Sequence, residues 1–405
     1  MPSSVLPLRP PEPDAAPYAA PDPLARAERL AQQFAATAVE RDRLGGHAAH
    51  ERELIRQSGL LTLSVPLAFG GQGGSWDTAL QAVRILARAD SALAHVFGFH
   101  HLQLAGIRLY GTAVQQRTLL SATVEQGLFW GNALNPLDKR TRAQALPSGF
   151  VLDGVKSFSS GSVGSDWLTV SAWDEAANAA LIAVLPTTQP GITVEADWDA
   201  FGQRQTDSGT VRFDKVYLPA ALVLQAPGQA ATAQATLRSQ VAQLIMANLY
   251  LGIAIGAFEA ARDFTRNQAR PWFASNVSEA GADPYVQQRY GEFWLKLRPA
   301  TVLADIAARL LDAAFDKGAE LGARERGEVA VAVAEAKVLA HRAAIAIGSE
   351  MFELTGARST SARFGFDRYW RNARVHTLHD PVDYKLRDLG RYALEGRLPE
   401  PTPYS

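Results

Sequence analysis

The sequence predicts an α+β fold in which a helical domain, a β domain and a second helical domain follow one another along the chain. Amphipathic, alanine-rich helical patterns fill residues 24–126. Short alternating runs of β-branched and aromatic residues fill 127–225, and helical periodicity returns in long segments within 226–405. A chain of 405 residues holds enough material for two or three such units, because ordinary domains contain about 100 to 200 residues.

The first 23 residues are predicted to form a flexible arm. They are rich in proline and lack both the basic stretch and the apolar core of a signal peptide. We therefore expect residues 1–23 to carry no targeting signal.

Five helices are predicted in the first helical domain. Their amphipathic patterns cover about 24–44, 49–58, 75–89, 91–109 and 112–126. The glycine-rich run at 70–74 lacks the G-x-G-x-x-G spacing and the preceding strand of a nucleotide-binding loop. We interpret this run as a turn.

The middle of the chain has the pattern of a β domain. Runs such as 150–154, 167–170 and 210–213 are short, apolar on alternate positions and separated by turn residues. They predict a central β-barrel or β-sandwich domain of about 100 residues.

The last domain is predicted to be a four-helix bundle followed by a tail. Long helical patterns occur near 238–269, 284–321 and 325–354, and shorter ones near 380–395. Residues 239–258 carry no charge, which also suits a membrane helix. Their polar side chains, together with Gly252 and Gly256, favour a buried helix that packs closely through its glycines.

The composition excludes several functional classes. Lysine and arginine number 40 and aspartate and glutamate 41, so the net charge of −1 provides no general attraction to nucleic acid or to anionic lipid. The chain has no cysteine, which removes disulfides, thiolate metal sites, iron–sulfur clusters and cysteine nucleophiles. We expect no nucleic-acid partner and no membrane partner.

Five of the eight histidines form two clusters. The first contains His95, His100 and His101, and the second contains His376 and His379, three residues apart. Imidazoles are suited to proton transfer near neutral pH, and residues three apart on a helix share a face. The alternatives are hydrogen-bonded structural histidines or, with Asp380, a non-haem iron site. We predict no metal, because this spacing is common and nothing else in the sequence supports one.

Two further segments are candidates for ligand binding. Residues 156–162 place small hydroxyl side chains beside a glycine, where the backbone can approach a planar ligand. A serine-hydrolase site is disfavoured, because no G-x-S-x-G motif is present. Arg262, Arg266 and Arg270 are spaced four apart, so one helical face could hold a phosphate; a solvated surface is the alternative.

The domain order, the segment 156–161 and the run 365–374 together resemble the acyl-CoA dehydrogenase superfamily over about residues 25–398. The resemblance implies a flavin site between the β domain and the C-terminal bundle. Dehydrogenases of this superfamily use a glutamate base, commonly placed after the arginine-rich helix, where this chain reads HTLHDP at 376–381. The other location, on the first bundle helix, shows no glutamate within 238–258. The dehydrogenase base is missing from both places.

More specific motifs resemble one branch of the superfamily, the dibenzothiophene monooxygenase group. They are Phe97-Gly-Phe-His100, Gly131-Asn132, Ser159-Ser160-Gly161, Asp197-Trp198, GQRQTDSG at 202–209, Gln268-Ala-Arg270-Pro-Trp272 and HTLHDP at 376–381. The resemblance implies a two-component monooxygenase that takes reduced FMN from a separate NAD(P)H-dependent flavin reductase and forms a C4a-hydroperoxyflavin with O2. It also implies a cytoplasmic homotetramer.

The same resemblance implies an organosulfur substrate, either a dibenzothiophene-like sulfide or a small sulfinate or sulfone, and hence a role in desulfurization. Other members of the branch oxygenate nitrogen or carbon, so the substrate stays open at this point. Aromatic residues near the motifs, among them Phe97, Phe99 and Phe129, are suited to an apolar pocket for soft sulfur, although such spacing is also common in a plain core.

Site residues follow from the resemblance position by position. The catalytic set is His100, Ser160, His376 and His379, and the cofactor-binding set is Asn132, Ser160, Trp198, Arg266, Arg270 and Arg358. The resemblance implies that the histidines face the reactive edge of the flavin and that Ser160 bonds its N5 atom. Asn132 and Trp198 contact the ring, and the arginines hold the FMN phosphate, either of the same subunit or of a neighbouring one. The tail at 399–405 packs near a site.

Two other functions stay open on the sequence alone. One is an FAD-dependent acyl-CoA dehydrogenase with a relocated base, which would copurify with a yellow flavin. The other is a scaffold or binding protein that keeps the flavin fold without activity.

Overall fold

The computed structural model describes residues 22–405, so nearly all of the arm predicted at 1–23 lies outside the described residues. Within 22–405 a helical region, a β region and a second helical region follow one another. The α+β fold class predicted from the sequence is confirmed.

The first helical region contains five helices whose ends lie within one residue of the predicted ones. They are α1 (Pro23–Leu44), α2 (Ala49–Gln57), α3 (Trp76–Ala89), α4 (Ser91–Tyr110) and α5 (Ala113–Gln126). The Asp90 carboxylate caps α4 by accepting hydrogen bonds from the N–H groups of Ala92 and Leu93. Nearly every residue of α4 is buried, so the polar side chains of this helix lie inside the protein.

The β region is one mixed sheet. Its strands are β1 (Trp130–Ala133), β2 (Arg142–Leu146), β3 (Gly149–Lys156), β4 (Trp167–Asp174), β5 (Ala179–Pro186), β6 (Ile192–Val194), β7 (Val211–Pro219) and β8 (Val223–Gln225). Their order is β6-β7-β3-β2-β4-β5-β8, and β1 pairs in parallel with β4. Alternate residues of β3, β4, β5 and β7 form an apolar core of their own.

The second helical region is built on three long helices, α6 (Leu237–Asn267), α7 (Pro284–Lys317) and α8 (Ala323–Thr355), which pack against one another. Two shorter helices follow, α9 (Asp367–Thr377) and α10 (Val382–Glu395), and α10 packs on α8. One hydrophobic core joins this bundle to α1, α3 and α4. The functional residues described below lie where α4, α6, α8 and α9 meet.

The uncharged stretch 239–258 lies within α6. This helix is long and apolar enough to cross a membrane, but 83% of its most apolar window is buried inside the protein. A Cβ atom on Gly252 would lie 2.4 Å from Cβ of Ala87, and one on Gly256 would lie 2.3 Å from the carbonyl oxygen of Arg88. The glycines therefore let α3 approach α6 closely, as predicted.

Candidate active site

A pair of buried histidines lies where α4 meets α9. Nδ1 of His95 is 2.7 Å from Nε2 of His376, and both residues are almost completely buried. The His95 ring also stacks on Phe99, one helical turn further along α4, with ring centroids 4.0 Å apart. The two histidine clusters of the sequence thus meet through His95 and His376.

Both imidazoles of this pair are uncharged at neutral pH. Burial lowers the pKa of His95 to about 3, and the nearby His379 contributes to the shift. Burial also holds the pKa of His376 well below its ordinary value, with further contributions from His95 and His379. Since neither ring carries an extra proton, a single hydrogen occupies the contact between them.

Thirteen buried side-chain polar atoms lack a hydrogen-bond partner among residues 22–405. Two of them are Nε2 of His95 and Oδ1 of Asn132 on β1. Asn132 donates its main-chain N–H to the carbonyl oxygen of Ser160 at 2.9 Å, and a Cβ on Gly161 would lie 3.5 Å from Val96 of α4. The elements that carry the two unpaired atoms are therefore in contact. A ligand can supply the missing partners of such atoms, so a polar ligand at this junction fits the structure.

The loop between β3 and β4 supplies short hydroxyl groups at the same junction. Oγ of Ser160 lies 2.8 Å from Oγ of Ser208, which in turn lies 2.7 Å from Oγ1 of Thr206. Phe158 has a left-handed backbone with φ of 56° and a side chain that is 72% exposed. Its ring meets Trp198 edge to face at 5.9 Å. Hydroxyl donors and an exposed aromatic surface lie side by side, as a planar ligand requires.

His379 lies in the turn just after α9 and is held through its Nδ1 atom. That atom is 3.0 Å from Oδ1 of Asp380, and the same oxygen lies 2.5 Å from Nζ of Lys337 on α8. Burial alone would raise the pKa of Asp380, but the hydrogen bond from His379 and the Lys337 ammonium outweigh it and hold the pKa well below its ordinary value. Asp380 is thus an ionised acceptor that directs the His379 Nδ1–H inward and leaves Nε2 of His379 for other partners.

The C-terminal segment packs against His379, whose side chain remains 41% exposed. The Tyr404 ring meets the His379 ring edge to face at 5.8 Å. Lys385 of α10 donates to the carbonyl oxygen of Tyr404, and Arg326 of α8 donates to a main-chain oxygen of Ser405. Lys385 and Arg326 are both buried, so these main-chain oxygens provide hydrogen-bond partners for cations that have left water.

His100 does not take part in this arrangement. Its Nε2 contacts the carbonyl oxygen of Leu61 at 2.8 Å, and its Nδ1 accepts from the N–H of Trp130 at 3.2 Å. Burial lowers its pKa to about 4. Five residues of helix turn the chain by about 500°, so His95 and His100 lie roughly 140° apart around α4. His95, rather than His100, contacts α9, and the role of His100 stays a prediction.

The three arginines predicted to bind phosphate lie far from the histidine pair. Arg266 lies 16 residues after Tyr250 on α6, about 24 Å further along at 1.5 Å per residue, whereas Tyr250 contacts His376. Arg270 lies in the loop after α6, and Arg358 donates to the carbonyl oxygen of Gln268 in that loop. All three side chains are exposed. They form an open basic surface at one end of the bundle.

Sequence reasoning missed two residues of the site, Tyr250 and Lys337. Both are buried on long helices that the periodicity identified only as core. A lysine at a buried helical position was the available signal, because lysine is almost never fully buried without a partner. Within residues 22–405 no cluster of three or more histidine, aspartate or glutamate side chains is arranged to hold a metal ion.

Comparison with known protein families agrees with this architecture. Models of the acyl-CoA dehydrogenase N-terminal, middle and C-terminal domains match residues 25–126, 132–216 and 244–384. The chain belongs to the acyl-CoA dehydrogenase family. The three matched segments coincide with the helical, β and helical regions of the structure.

Two relatives within the family match nearly the whole chain. The probable FMNH2-dependent monooxygenase SfnC of Pseudomonas putida is 49% identical over 383 residues, which cover 94% of this chain and 97% of that protein. The dibenzothiophene monooxygenase of Rhodococcus erythropolis is 45% identical over 395 residues, covering 94% and 95%. The resemblance to the dibenzothiophene monooxygenase group is confirmed.

Solved structures give the same result. The methanesulfinate monooxygenase MsuC of Pseudomonas fluorescens superposes with a TM-score of 0.93 at 49% identity, covering 95% of this chain and all of that one. The FMN-bound TdsC of Paenibacillus sp. A11-2 has a TM-score of 0.90 at 39% identity, covering 95% and 100%. Butyryl-CoA dehydrogenase of Megasphaera elsdenii, at 21% identity and a TM-score of 0.80, shares the fold.

Proposed function

We propose that this chain is an FMNH2-dependent monooxygenase that oxygenates an organosulfur compound. The observation that carries the proposal is the junction of α4, α9 and the β3–β4 loop, where the buried His95–His376 pair and Asn132 present unpaired polar atoms. Three relatives support the proposal, because each is similar to this chain over nearly its full length. They are a probable FMNH2-dependent monooxygenase, a dibenzothiophene monooxygenase and a methanesulfinate monooxygenase.

The residues at the junction fit FMN. Asn132 offers a free amide oxygen, Ser160 offers a hydroxyl, and Trp198 with Phe158 offers an aromatic wall. In the overall reaction one oxygen atom of O2 is added to sulfur, and the other leaves as water with the two electrons and two protons that reduced FMN gives up. Asn132, Ser160 and Trp198 would bind and orient the ring.

The chain's own residues would control protons and water around the cofactor. His95 is neutral, so its Nε2 can hold a proton-bearing group by accepting a hydrogen bond from it. His379 is oriented by Asp380, and His376 acts through its contact with His95. Phe99 on α4 adds apolar surface beside the pair. Such surroundings exclude the water that would divert oxygen to hydrogen peroxide.

An acyl-CoA dehydrogenase would need a free carboxylate base. Neither of the two segments of the described chain that resemble the dehydrogenase base positions provides one. In the segment 376–381 the one carboxylate is Asp380, which is buried and already bonded to both Lys337 and His379. On α6 the first glutamate is Glu259, beyond the stretch 238–258, and it faces Arg88 in an ion pair. Neither group is free to take a proton from an acyl-CoA thioester.

We also propose that the enzyme is a cytoplasmic homotetramer supplied by a separate NAD(P)H-dependent flavin reductase. The outer face of α7 exposes a row of apolar side chains, namely Trp294, Leu295, Val302, Ile306 and Leu310. Such a face suits contact with a second copy. The basic surface formed by Arg266, Arg270 and Arg358 would then hold the FMN phosphate of a neighbouring subunit. Analytical ultracentrifugation would measure the oligomer size.

Incorporation of labelled oxygen tests the proposed activity. The protein would be given photoreduced FMN under 18O2 together with dibenzothiophene or methanesulfinate. A sulfur product carrying 18O is expected from a monooxygenase. Products without label, combined with bleaching of a bound flavin by butyryl-CoA, would identify a dehydrogenase instead.

A further inference from the structure

Tyr250 of α6 contacts His376, one member of the histidine pair. Its phenol oxygen lies 3.1 Å from the carbonyl oxygen of His376 and 3.3 Å from Nδ1 of the same residue. The two rings meet edge to face at 5.4 Å. Tyr250 is completely buried, and burial, together with the charge of Asp380, raises its pKa well above the ordinary value. The phenol therefore keeps its proton.

The hydroxyl of Tyr250 has one proton for these two neighbours. The carbonyl oxygen of His376 can only accept a hydrogen bond, and it is the nearer of the two atoms, so it receives the hydroxyl proton. The phenol oxygen is then an acceptor, and Nδ1 of His376 must carry the hydrogen that it donates. Because His376 is neutral, its Nε2 atom carries only a lone pair.

The proton positions continue into His95. Nε2 of His376 accepts, so Nδ1 of His95 must carry the hydrogen at the 2.7 Å contact. Since His95 is also neutral, its Nε2 atom is left with a lone pair. This is the same buried atom that has no partner among the described residues. A chain of three groups thus determines whether the atom that faces the ligand is a donor or an acceptor.

We propose that Tyr250 is a positioning residue that fixes the tautomers of His376 and His95 and so makes Nε2 of His95 a hydrogen-bond acceptor. This atom then selects a ligand group that carries a hydrogen, an N–H or an O–H, and rejects a bare acceptor. The reverse orientation, with the hydroxyl proton on Nδ1 of His376, would make Nε2 of His95 a donor. Tyr250 acts through His376 and His95, and its importance for catalysis rests on the proposed function.

Histidine-labelled NMR of the full-length protein without FMN tests the tautomers directly. The resonances of His95 would be assigned by their loss in His95→Gln. In the wild type, Nδ1 of His95 is expected to be protonated and Nε2 unprotonated. In Tyr250→Phe, which keeps the ring but lacks the oxygen, the second tautomer should become populated. A protonated Nε2 in the wild type, or an identical pattern in Tyr250→Phe, would overturn the proposal.

A matched variant and a second readout separate positioning from general damage. Tyr290→Phe removes a phenol oxygen from α7 in the same bundle, where it contacts Thr265 at 2.8 Å. With photoreduced FMN, O2 and dibenzothiophene or methanesulfinate, the ratio of sulfur product to hydrogen peroxide should fall several-fold in Tyr250→Phe and stay unchanged in Tyr290→Phe. An unchanged ratio in Tyr250→Phe would refute the positioning role. If the wild type forms no sulfur product, the proposed function fails, whereas the NMR result still decides the tautomers.

Discussion

The ammonium nitrogen of Lys337 lies 2.5 Å from Oδ1 of Asp380, and that oxygen is also 3.0 Å from Nδ1 of His379. Lys337 and Asp380 are both buried. The carboxylate of Asp380 is thus neutralised by Lys337 and orients His379.

Breaking this ion pair should destabilise the protein. Lys337→Met leaves Asp380 buried without its countercharge, and we expect a loss of about 3–5 kcal/mol in the free energy of unfolding. The double variant Lys337→Met with Asp380→Asn removes both charges and should recover much of that loss. Urea unfolding measures both values. A double variant no more stable than the single one would contradict the assignment.

Substitution should distinguish His95 from His100. His95→Gln removes the unpaired Nε2 acceptor, so coupled product formation should fall by about 10²-fold while hydrogen peroxide rises. His100→Gln disturbs contacts to Leu61 and Trp130, so it should cost about 1–3 kcal/mol of stability and leave the ratio of product to peroxide unchanged. If His100→Gln lowered the ratio of product to peroxide and His95→Gln did not, the catalytic role predicted for His100 would be supported instead.

Stability should fall on the acid side of neutrality. Burial lowers the pKa of His100 from 6.5 to about 4, so below pH 6.5 the unfolded chain binds a proton that the folded protein does not. The contribution of such a histidine to the free energy of unfolding is complete above pH 6.5 and declines as the pH falls toward 4. Urea unfolding between pH 7.5 and about 4 should show this decline, with a smaller slope in His100→Gln. Equal slopes would contradict the burial of a neutral His100.

Tyr404 should shield His379 from reagents. Tyr404→Ala removes the ring that packs on one side of His379, so carbethoxylation of His379 by diethyl pyrocarbonate should become several-fold faster. Tyr404→Phe keeps the ring and should react like the wild type. His50 is exposed on α2 and provides the internal reference in the same mass spectrum. An unchanged rate at His379 in Tyr404→Ala would refute the contact.

Two glycines should respond in opposite directions to alanine. A Cβ on Gly252 would lie 2.4 Å from Ala87, so Gly252→Ala should cost about 1–3 kcal/mol through overpacking. Gly291 lies inside α7, where a Cβ atom would have nothing within 4 Å, so Gly291→Ala should stabilise by about 0.5–1 kcal/mol. Thermal unfolding compares the two. Stabilisation by Gly252→Ala would contradict the close approach of α3 and α6.

Helical periodicity was enough to locate most of the fold. Apolar spacing placed α1 to α5 within one residue, because α1 and α3 each bury one face and several of the five helices end at a glycine, as α1, α4 and α5 do. The run 365–374 carries too many charges to show an apolar stripe, so α9 was recognisable only by resemblance. The residue that ends α9, Thr377, also gave no signal, and His379 lies beyond the helix rather than on the face of His376.

The site was less accessible to sequence reasoning because it is assembled from distant parts of the chain. His95 and His376 are 281 residues apart, and no local spacing predicts their contact. The motif around His100 lies on the same helix as His95, but the contact with α9 is made by His95, on another face of that helix. Tyr250 and Lys337 could be assigned to the candidate site only from the packing of α6 and α8, which brings them to the 376–380 segment. The residues of the candidate site are therefore identified by their proximity in the folded chain and not by composition.

The most direct test of the proposed activity follows the oxidation of reduced FMN by stopped-flow absorbance. The protein would be mixed with FMNH2 without oxygen and then with oxygenated buffer. We predict that oxidised FMN appears more slowly than from free FMNH2, through a transient absorbance that decays faster when dibenzothiophene or methanesulfinate is present. Oxidised FMN appearing at the rate of free flavin, with one hydrogen peroxide released per FMNH2, would contradict a monooxygenase.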